Sequence, residues 1–258
     1  MAGNRKIGLA LSGGAARGFA HIGVLRVLEE AKVPVSFLAG TSMGALMGAF
    51  YASGMNMRML ERITKAVERR GWFDYTVSRM GLVSGNRVEQ MVYLLTRRST
   101  FDDLKIPFAA VAVDLYSGEK VVIKEGLVAN AVRASISIPG YFVPVEVEGQ
   151  MLVDGSVLER LPTEIVREMG ADFVIAIDTG FHQGSVDINN ALDVITRSIE
   201  IMVKQMSRAQ LDRADAVIAP DLGDITPSQF ERVSEAVSLG EKAARNALPD
   251  ILSQLEKV

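Results

Sequence analysis

A serine set between two glycines, Gly40-Thr41-Ser42-Met43-Gly44, directly after the run Val35-Ser36-Phe37-Leu38-Ala39, is placed to act as a nucleophile. The run reads as a buried strand and the residues after it as a helix. The pentapeptide is then a sharp strand-to-helix turn, and flanking positions without a Cβ allow a bend tight enough to expose the hydroxyl. The competing use of such a serine is to cap an ordinary helix. A second turn, Ser12-Gly13-Gly14-Ala15-Ala16-Arg17-Gly18, joins an apolar strand over 7–11 to a helix over 19–31. N–H groups that open a helix lack intrahelical acceptors and lie at the positive end of its dipole, which suits them to hold an oxyanion. A nucleotide phosphate is the other anion such loops cradle. Against it, Gly18 is not followed by Lys-Ser/Thr, and the second strand ends in Gly40-Thr41 where a ribose-binding acid would stand. Arg17 either orients a substrate phosphate or holds the loop in place. Further on, Asp154-Gly155-Ser156 closes a short strand, as a carboxylate at the site or as a simple turn.

These groups need a frame, and the hydrophobic pattern supplies one. Helices are expected over 43–54, 55–70, 87–95, 127–135, 162–169, 191–209 and 228–247, and strands over 108–114, 120–124, 143–147, 151–153, 173–177 and 216–219. In the 55–70 helix Met59, Leu60, Ile63 and Val67 form the core face, with Arg58, Arg62, Lys65 and Arg69 outside; Leu192, Ile195, Ile199, Met202, Met206 and Leu211 make a stripe on the 191–209 helix. Tyr116-Ser117-Gly118-Glu119 is a hairpin turn. Alternating strands and helices imply a three-layer α/β sandwich with a mostly parallel central sheet, to which the 108–153 section adds antiparallel pieces. Gly13, Ser42 and Asp154 all fall at carboxyl ends of strands, where such sheets carry their sites.

Composition excludes several alternatives. The 258 residues show no linker, repeat or low-complexity tract, so a single domain over 1–258 is expected, and 48% apolar residues suffice for its core. A net charge of -3 with no basic stripe argues against nucleic acid as a partner. Cysteine is absent, so thiolate zinc sites and cysteine nucleophiles are ruled out, and with only His21 and His182 no motif calls for a metal or a cofactor. The start runs into a strand without a signal peptide's apolar stretch, and no window is long and apolar enough to span a bilayer. A cytoplasmic protein is expected, with room for peripheral contact at the membrane.

Taken together, four blocks resemble the patatin-like phospholipase family, in particular its compact bacterial branch, related to the neuropathy target esterase domain. They are Ser12-Gly-Gly-Ala-Ala-Arg-Gly-Phe-Ala-His21-Ile-Gly-Val, Gly40-Thr-Ser-Met-Gly44, Arg133-Ala-Ser-Ile-Ser-Ile-Pro-Gly140 and Asp154-Gly-Ser156, in the family's order and covering nearly the whole chain. The resemblance implies a patatin-like fold and a Ser-Asp dyad without histidine. Ser42 is then the nucleophile, Asp154 its base, and Gly13, Gly14 and Ala15 line the oxyanion hole; Arg17 and Met43 are expected to contact the substrate. The implied activity is hydrolysis of lipid or other carboxylic esters through an acyl-enzyme. Two positions depart from the pattern: Ala15 where glycine is usual, and Ser156 where glycine or alanine is usual. They motivate the rival expectation of a non-catalytic or weakly active regulator on the same fold. A second rival is an α/β-hydrolase triad, since Ser42, Asp154 and His182 stand in its chain order. Methionines 43, 47, 55, 57, 59 and 80 crowd the region after the nucleophile, either as core filler or as adaptable contacts for an acyl chain.

Overall fold

The computed structural model describes residues 5–67, 69–181 and 188–256. Its centre is a sheet whose strands are β1 (Ile7–Leu11), β2 (Val35–Thr41), β3 (Phe108–Asp114), β4 (Lys120–Ile123), β5 (Val145–Val147), β6 (Gln150–Asp154), β7 (Phe173–Ile177) and β8 (Ala216–Ile218). The order is β5-β6-β3-β2-β1-β7-β8, with β4 also on β3. Strands β3, β2, β1, β7 and β8 run parallel, whereas β4 and β6 pair antiparallel with β3, and β5 with β6. This is the mixed α/β sandwich expected from the alternation.

The period of two along each strand explains the layers. In β1 and β7 the large residues Ile7, Leu9, Leu11, Phe173, Ile175 and Ile177 join one core, and Ala10, Val174 and Ala176 join the other. The first core receives α1 (Ala20–Glu30), α2 (Met43–Ala52) and the long α9 (Val233–Glu256). On the other face, α7 (Thr163–Glu168) contributes Ile165 and Val166, close enough to need the small side chains there. The remaining helices are α3 (Met57–Ala66), α4 (Arg69–Trp72), α5 (Asn86–Leu95), α6 (Val128–Ser135) and α8 (Ala191–Leu211).

Three expected elements differ. The single helix over 55–70 is two, because Val67 is extended, with ψ 107. Asn56 accepts the N–H groups of Arg58 and Met59, which fixes the start of α3 so that Met57, Leu60 and Thr64 turn inward and Met59 is 56% exposed. Most of the α8 stripe also faces outward: Ile195, Met202 and Met206 are exposed, and the inward residues are Val203, Ser207 and Gln210. Finally, α9 continues through Pro249, where sequence alone places a stop near 247.

Candidate active site

Ser42 occupies the turn between β2 and α2 with φ 54 and ψ -122, a backbone region that non-glycine residues seldom adopt. Its side chain does not cap α2. Instead the hydroxyl lies close enough to Asp154 to draw its carboxyl pKa down against the effect of burial. The turn is held by its neighbours: a Cβ at Gly44 would collide with the carbonyl of Leu11, so only glycine lets α2 start this close to β1. Thr41 Oγ1 donates to the carbonyl of Glu159 at 2.8 Å.

The block containing Arg133, Ser135 and Ser137 fastens both residues of the pair. Ser135 Oγ accepts the Ser42 N–H at 2.9 Å and donates to the Val111 carbonyl on β3 at 2.6 Å. The Ser137 carbonyl accepts the Asp154 N–H at 2.9 Å. Arg133 anchors this segment, donating to Ser137 Oγ at 2.6 Å and to the carbonyls of Val143, at 2.7 Å, and Ser84. In the sequence these serines mark a motif without announcing which atoms they hold.

Asp154 is only 3% exposed. Burial raises its carboxyl above the ordinary carboxylate range, against the pull of hydrogen bonds from the Ser42 hydroxyl and from the Ser156 N–H and hydroxyl. The Ser156 N–H lies 2.8 Å from Oδ1. The simple-turn use of the aspartate is therefore present too: its side chain caps the short turn Gly155–Val157 by accepting the Ser156 N–H.

Across from this pair lies the glycine loop. A Cβ at Gly13 would meet Ser42 Cβ at 3.3 Å and collide with Ser156 Oγ, so the loop backbone rests directly on the pair. Of its expected oxyanion donors, Gly13 is otherwise engaged, because its N–H donates to the Arg160 carbonyl at 3.0 Å. Gly14 and Ala15 have N–H groups with no acceptor among the described residues, and so does Met43, first residue of α2. Ala15 takes φ 46, a left-handed conformation that glycine reaches freely and alanine at a cost of about 1–2 kcal/mol.

Arg17 is structural. Its Nε donates to the Thr179 carbonyl at 3.1 Å and its Nη1 to that of Ile225 at 2.7 Å, so the buried guanidinium ties the loop to the chain after β7 and to that after β8, and it is not among the residues lining the cavity above Ser42. Sequence reasoning missed Arg160 altogether. It pairs with Asp178 at 2.5 Å in a buried ion pair, donates to the Gly180 carbonyl at 2.9 Å, and through its own carbonyl sets Gly13. Thr179 completes the brace, with Oγ1 on the Gly13 carbonyl at 3.2 Å. No spacing rule links residues 17, 160 and 178, which meet because β1 and β7 are neighbours.

An apolar cavity of about 510 Å³ opens above the pair. Ser42, Ala15 and Met43 lie at its floor, Leu46, Trp72, Phe73, Ile136, Phe142 and Phe230 among its walls, and Asp193, Thr196, Arg197 and Glu200 of α8 at one side. A separate cavity of about 550 Å³, lined by Arg133 and Glu89 as well as Val143 and Val145, shares no lining residue with it. His21 is buried, with Nε2 2.9 Å from the Ser12 carbonyl, and is driven down to about 4, first by burial. It is a neutral core histidine beneath the loop. His182 lies outside the described residues.

The whole constellation is a serine on a strained turn, a buried carboxylate against it, unpaired N–H groups opposite and an apolar cavity above. Comparison with known proteins gives a consistent result. The family model for patatin-like phospholipase matches residues 9–167. An uncharacterized NTE family protein of Mycobacterium tuberculosis is 31% identical over 96% of this chain and 48% of its own length, and another is 32% identical over 93% and 69%. Mouse patatin-like phospholipase domain-containing protein 6 is 33% identical over 85% of this chain and 16% of its length. The chain thus spans about half the length of the first curated relatives it matches. Among solved structures, VipD from Legionella pneumophila has a TM-score of 0.60 at 15% identity, covering 95% of this chain and 67% of that one. The type III effector protein ExoU has 0.52 at 16%, covering 98% and 54%; at such identities the likeness concerns the fold.

Proposed function

The chain belongs to the patatin-like phospholipase family, and from that premise we propose that it is a serine esterase that cleaves lipid acyl esters with Ser42 and Asp154 as its dyad. The observation that carries this reading is Ser42 on a strained turn lining an apolar cavity, beside a buried Asp154 whose carboxyl pKa is raised by burial and drawn down by the serine.

Asp154 takes the Ser42 proton as Oγ attacks the ester carbonyl, and the pair of electrons displaced from the C=O bond becomes the oxyanion. The N–H groups of Gly14 and Ala15, assisted by that of Met43, stabilise it. Collapse expels the alkoxide, which takes the proton back from Asp154 and leaves the acyl group on Ser42. Water then attacks the acyl-enzyme, giving its proton to Asp154 on the way in, and the carboxylic acid departs as Ser42 is reprotonated. A carboxylate serves as base here because burial raises its proton affinity, and Ser42 lies close enough to act on its pKa. The acyl chain lies along Leu46, Trp72, Phe73 and Phe142. Peripheral contact with the lipid phase belongs to the same reading, and among the described residues no helix is long and apolar enough to cross a membrane.

The test is hydrolysis of p-nitrophenyl esters and lysophospholipids, with fluorophosphonate labelling. Ser42→Ala should lose both activity and label with its fold intact, and Asp154→Asn should lose about two to four decades of kcat/KM. His182→Ala should retain activity. A severe loss in His182→Ala with a folded protein would replace the dyad by the triad, and failure of the wild type to take the label would favour the regulator.

A further inference from the structure

Of the three residues that carry the glycine loop past Ser42, only Ala15 has a side chain. A Cβ at Gly13 would collide with Ser156 Oγ and one at Gly14 with Thr179 Oγ1, so the loop as it stands has no room for a side chain at either position. Ala15 is also the one member of the three that lines the Ser42 cavity. It does so with φ 46, in the left-handed region that costs an alanine and not a glycine.

That conformation is imposed from both sides. Before Ala15, the Gly13 N–H donates to the Arg160 carbonyl at 3.0 Å, and the Gly13 carbonyl accepts from Thr179 Oγ1 at 3.2 Å. After it, the Ala16 N–H donates to the Pro227 carbonyl at 3.1 Å, the Arg17 N–H returns to the Gly14 carbonyl at 3.1 Å, and the Arg17 guanidinium is fastened to the carbonyls of Thr179 and Ile225. A residue pinned in this way keeps its strain because its neighbours outweigh it. None of these bonds uses the methyl group. Among the described residues Ala15 belongs to no apolar cluster of the core, whereas Ala16 beside it does, so packing does not account for the methyl either.

The place of that methyl follows from the reaction. The Ala15 N–H has no acceptor among the described residues and is one of the groups that would hold the oxyanion. A Cβ lies about 2.5 Å from its own amide nitrogen and a bound oxyanion about 2.9 Å from the same atom, so methyl and oxyanion are at most about 5.4 Å apart. The acyl α-carbon and the alcohol carbon, which flank the ester group, fall in the same range. Ser42 and Met43 share the cavity with Ala15, and Met43 is itself buried, so a branch at either carbon meets a methyl that a glycine would not present.

We propose that Ala15 is a specificity residue whose methyl limits substitution at the carbons next to the ester group, so that the site takes esters of unbranched acyl chains with primary alcohols. This rests on the serine-esterase reading above and on the Ala15 N–H as an oxyanion donor.

The experiment compares kcat/KM within two pairs of isomers, p-nitrophenyl butyrate with p-nitrophenyl isobutyrate and 1-propyl butyrate with 2-propyl butyrate, for the wild type, Ala15→Gly and Ala15→Ser. A ratio within one protein cancels any general change in oxyanion stabilisation. The wild type should favour the unbranched isomer, and Ala15→Gly should reduce that preference about tenfold in at least one pair, the scale on which a pocket reads a single carbon. Ala15→Ser, with the same strain and a larger side chain, should widen it. Ala15→Gly should also melt no lower than the wild type, because it gives up no hydrogen bond and no core contact. Preferences that are equal in the three proteins overturn the proposal, as does a wild type indifferent to branching. A lower melting temperature in Ala15→Gly with unchanged preferences overturns it in favour of a packing role. A wild type that hydrolyses none of the four esters and takes no fluorophosphonate label sinks the esterase reading itself, whereas turnover with preferences that ignore residue 15 sinks the specificity role alone.

Discussion

At Asp154 two demands conflict. Catalysis asks for a carboxylate of raised proton affinity, which burial supplies, and burial of a charge destabilises the fold. The sign follows from linkage: a carboxyl whose folded pKa lies above its unfolded one binds more protons folded than unfolded, so its contribution to stability falls as pH rises through that window. Asp154→Asn should therefore melt at a higher temperature than the wild type near neutral pH while losing activity, and the gap should close as pH falls below the unfolded carboxyl range. Calorimetry of the two proteins across pH checks this, and a variant less stable at neutral pH would contradict it. Ser156 tunes the same group. Its hydroxyl lowers the Asp154 pKa, so Ser156→Gly should move the acidic limb of the kcat/KM profile to higher pH. An unmoved limb would mean that the hydroxyl has no effect on the base.

The elements position these residues by borrowing backbone groups from distant parts of the chain. The β2–α2 turn relies on Ser135 at the end of α6, whose Oγ is the acceptor for the strained Ser42 N–H. In Ser135→Ala that N–H is buried without a partner, at a cost of about 1–3 kcal/mol, and kcat should fall more than KM rises because the turn that aims the hydroxyl loses its tether. Chemical denaturation and ester kinetics of this variant read the two effects separately. A variant with unchanged stability and kcat would show that β2 and α2 hold the turn unaided. The glycine loop depends in the same way on the end of β7, through the Arg160–Asp178 pair and the Gly13 N–H on the Arg160 carbonyl.

For the whole molecule, His21 links the core beneath the glycine loop to solvent pH. Burial holds it at about 4, below the unfolded histidine value, so the unfolded chain binds the extra proton first and stability, complete above that value, is lost as pH falls toward 4. From about pH 7 to about pH 5 this one group should cost about 2 kcal/mol, visible as a lower urea midpoint. His21→Gln, which keeps a donor for the Ser12 carbonyl, should flatten that dependence. An equally steep loss in the variant would assign the acid sensitivity to other groups.

The sequence by itself determined the elements whose patterns are local. Glycines around Ser42, an apolar run before it and the alternation of strands with helices are properties of adjacent residues, and the sheet follows them: β1, β7 and the turn into α2 lie where the pattern places them. Four blocks in order likewise sufficed to name the family. What tertiary structure alone decided is which polar groups meet. Gly13 looked free because its acceptor, the Arg160 carbonyl, is distant in sequence; Arg17 looked available because the carbonyls of Thr179 and Ile225 that consume it are equally distant. The direction of an apolar stripe is of the same kind. Periodicity fixes that Ile195, Met202 and Met206 share a face, but whether the face turns inward depends on where Gln210 pins the far end of α8, and here it turns outward. Hydrogen-bond partners and burial are set by approach of segments in space, and a single sequence records the segments without recording their approach.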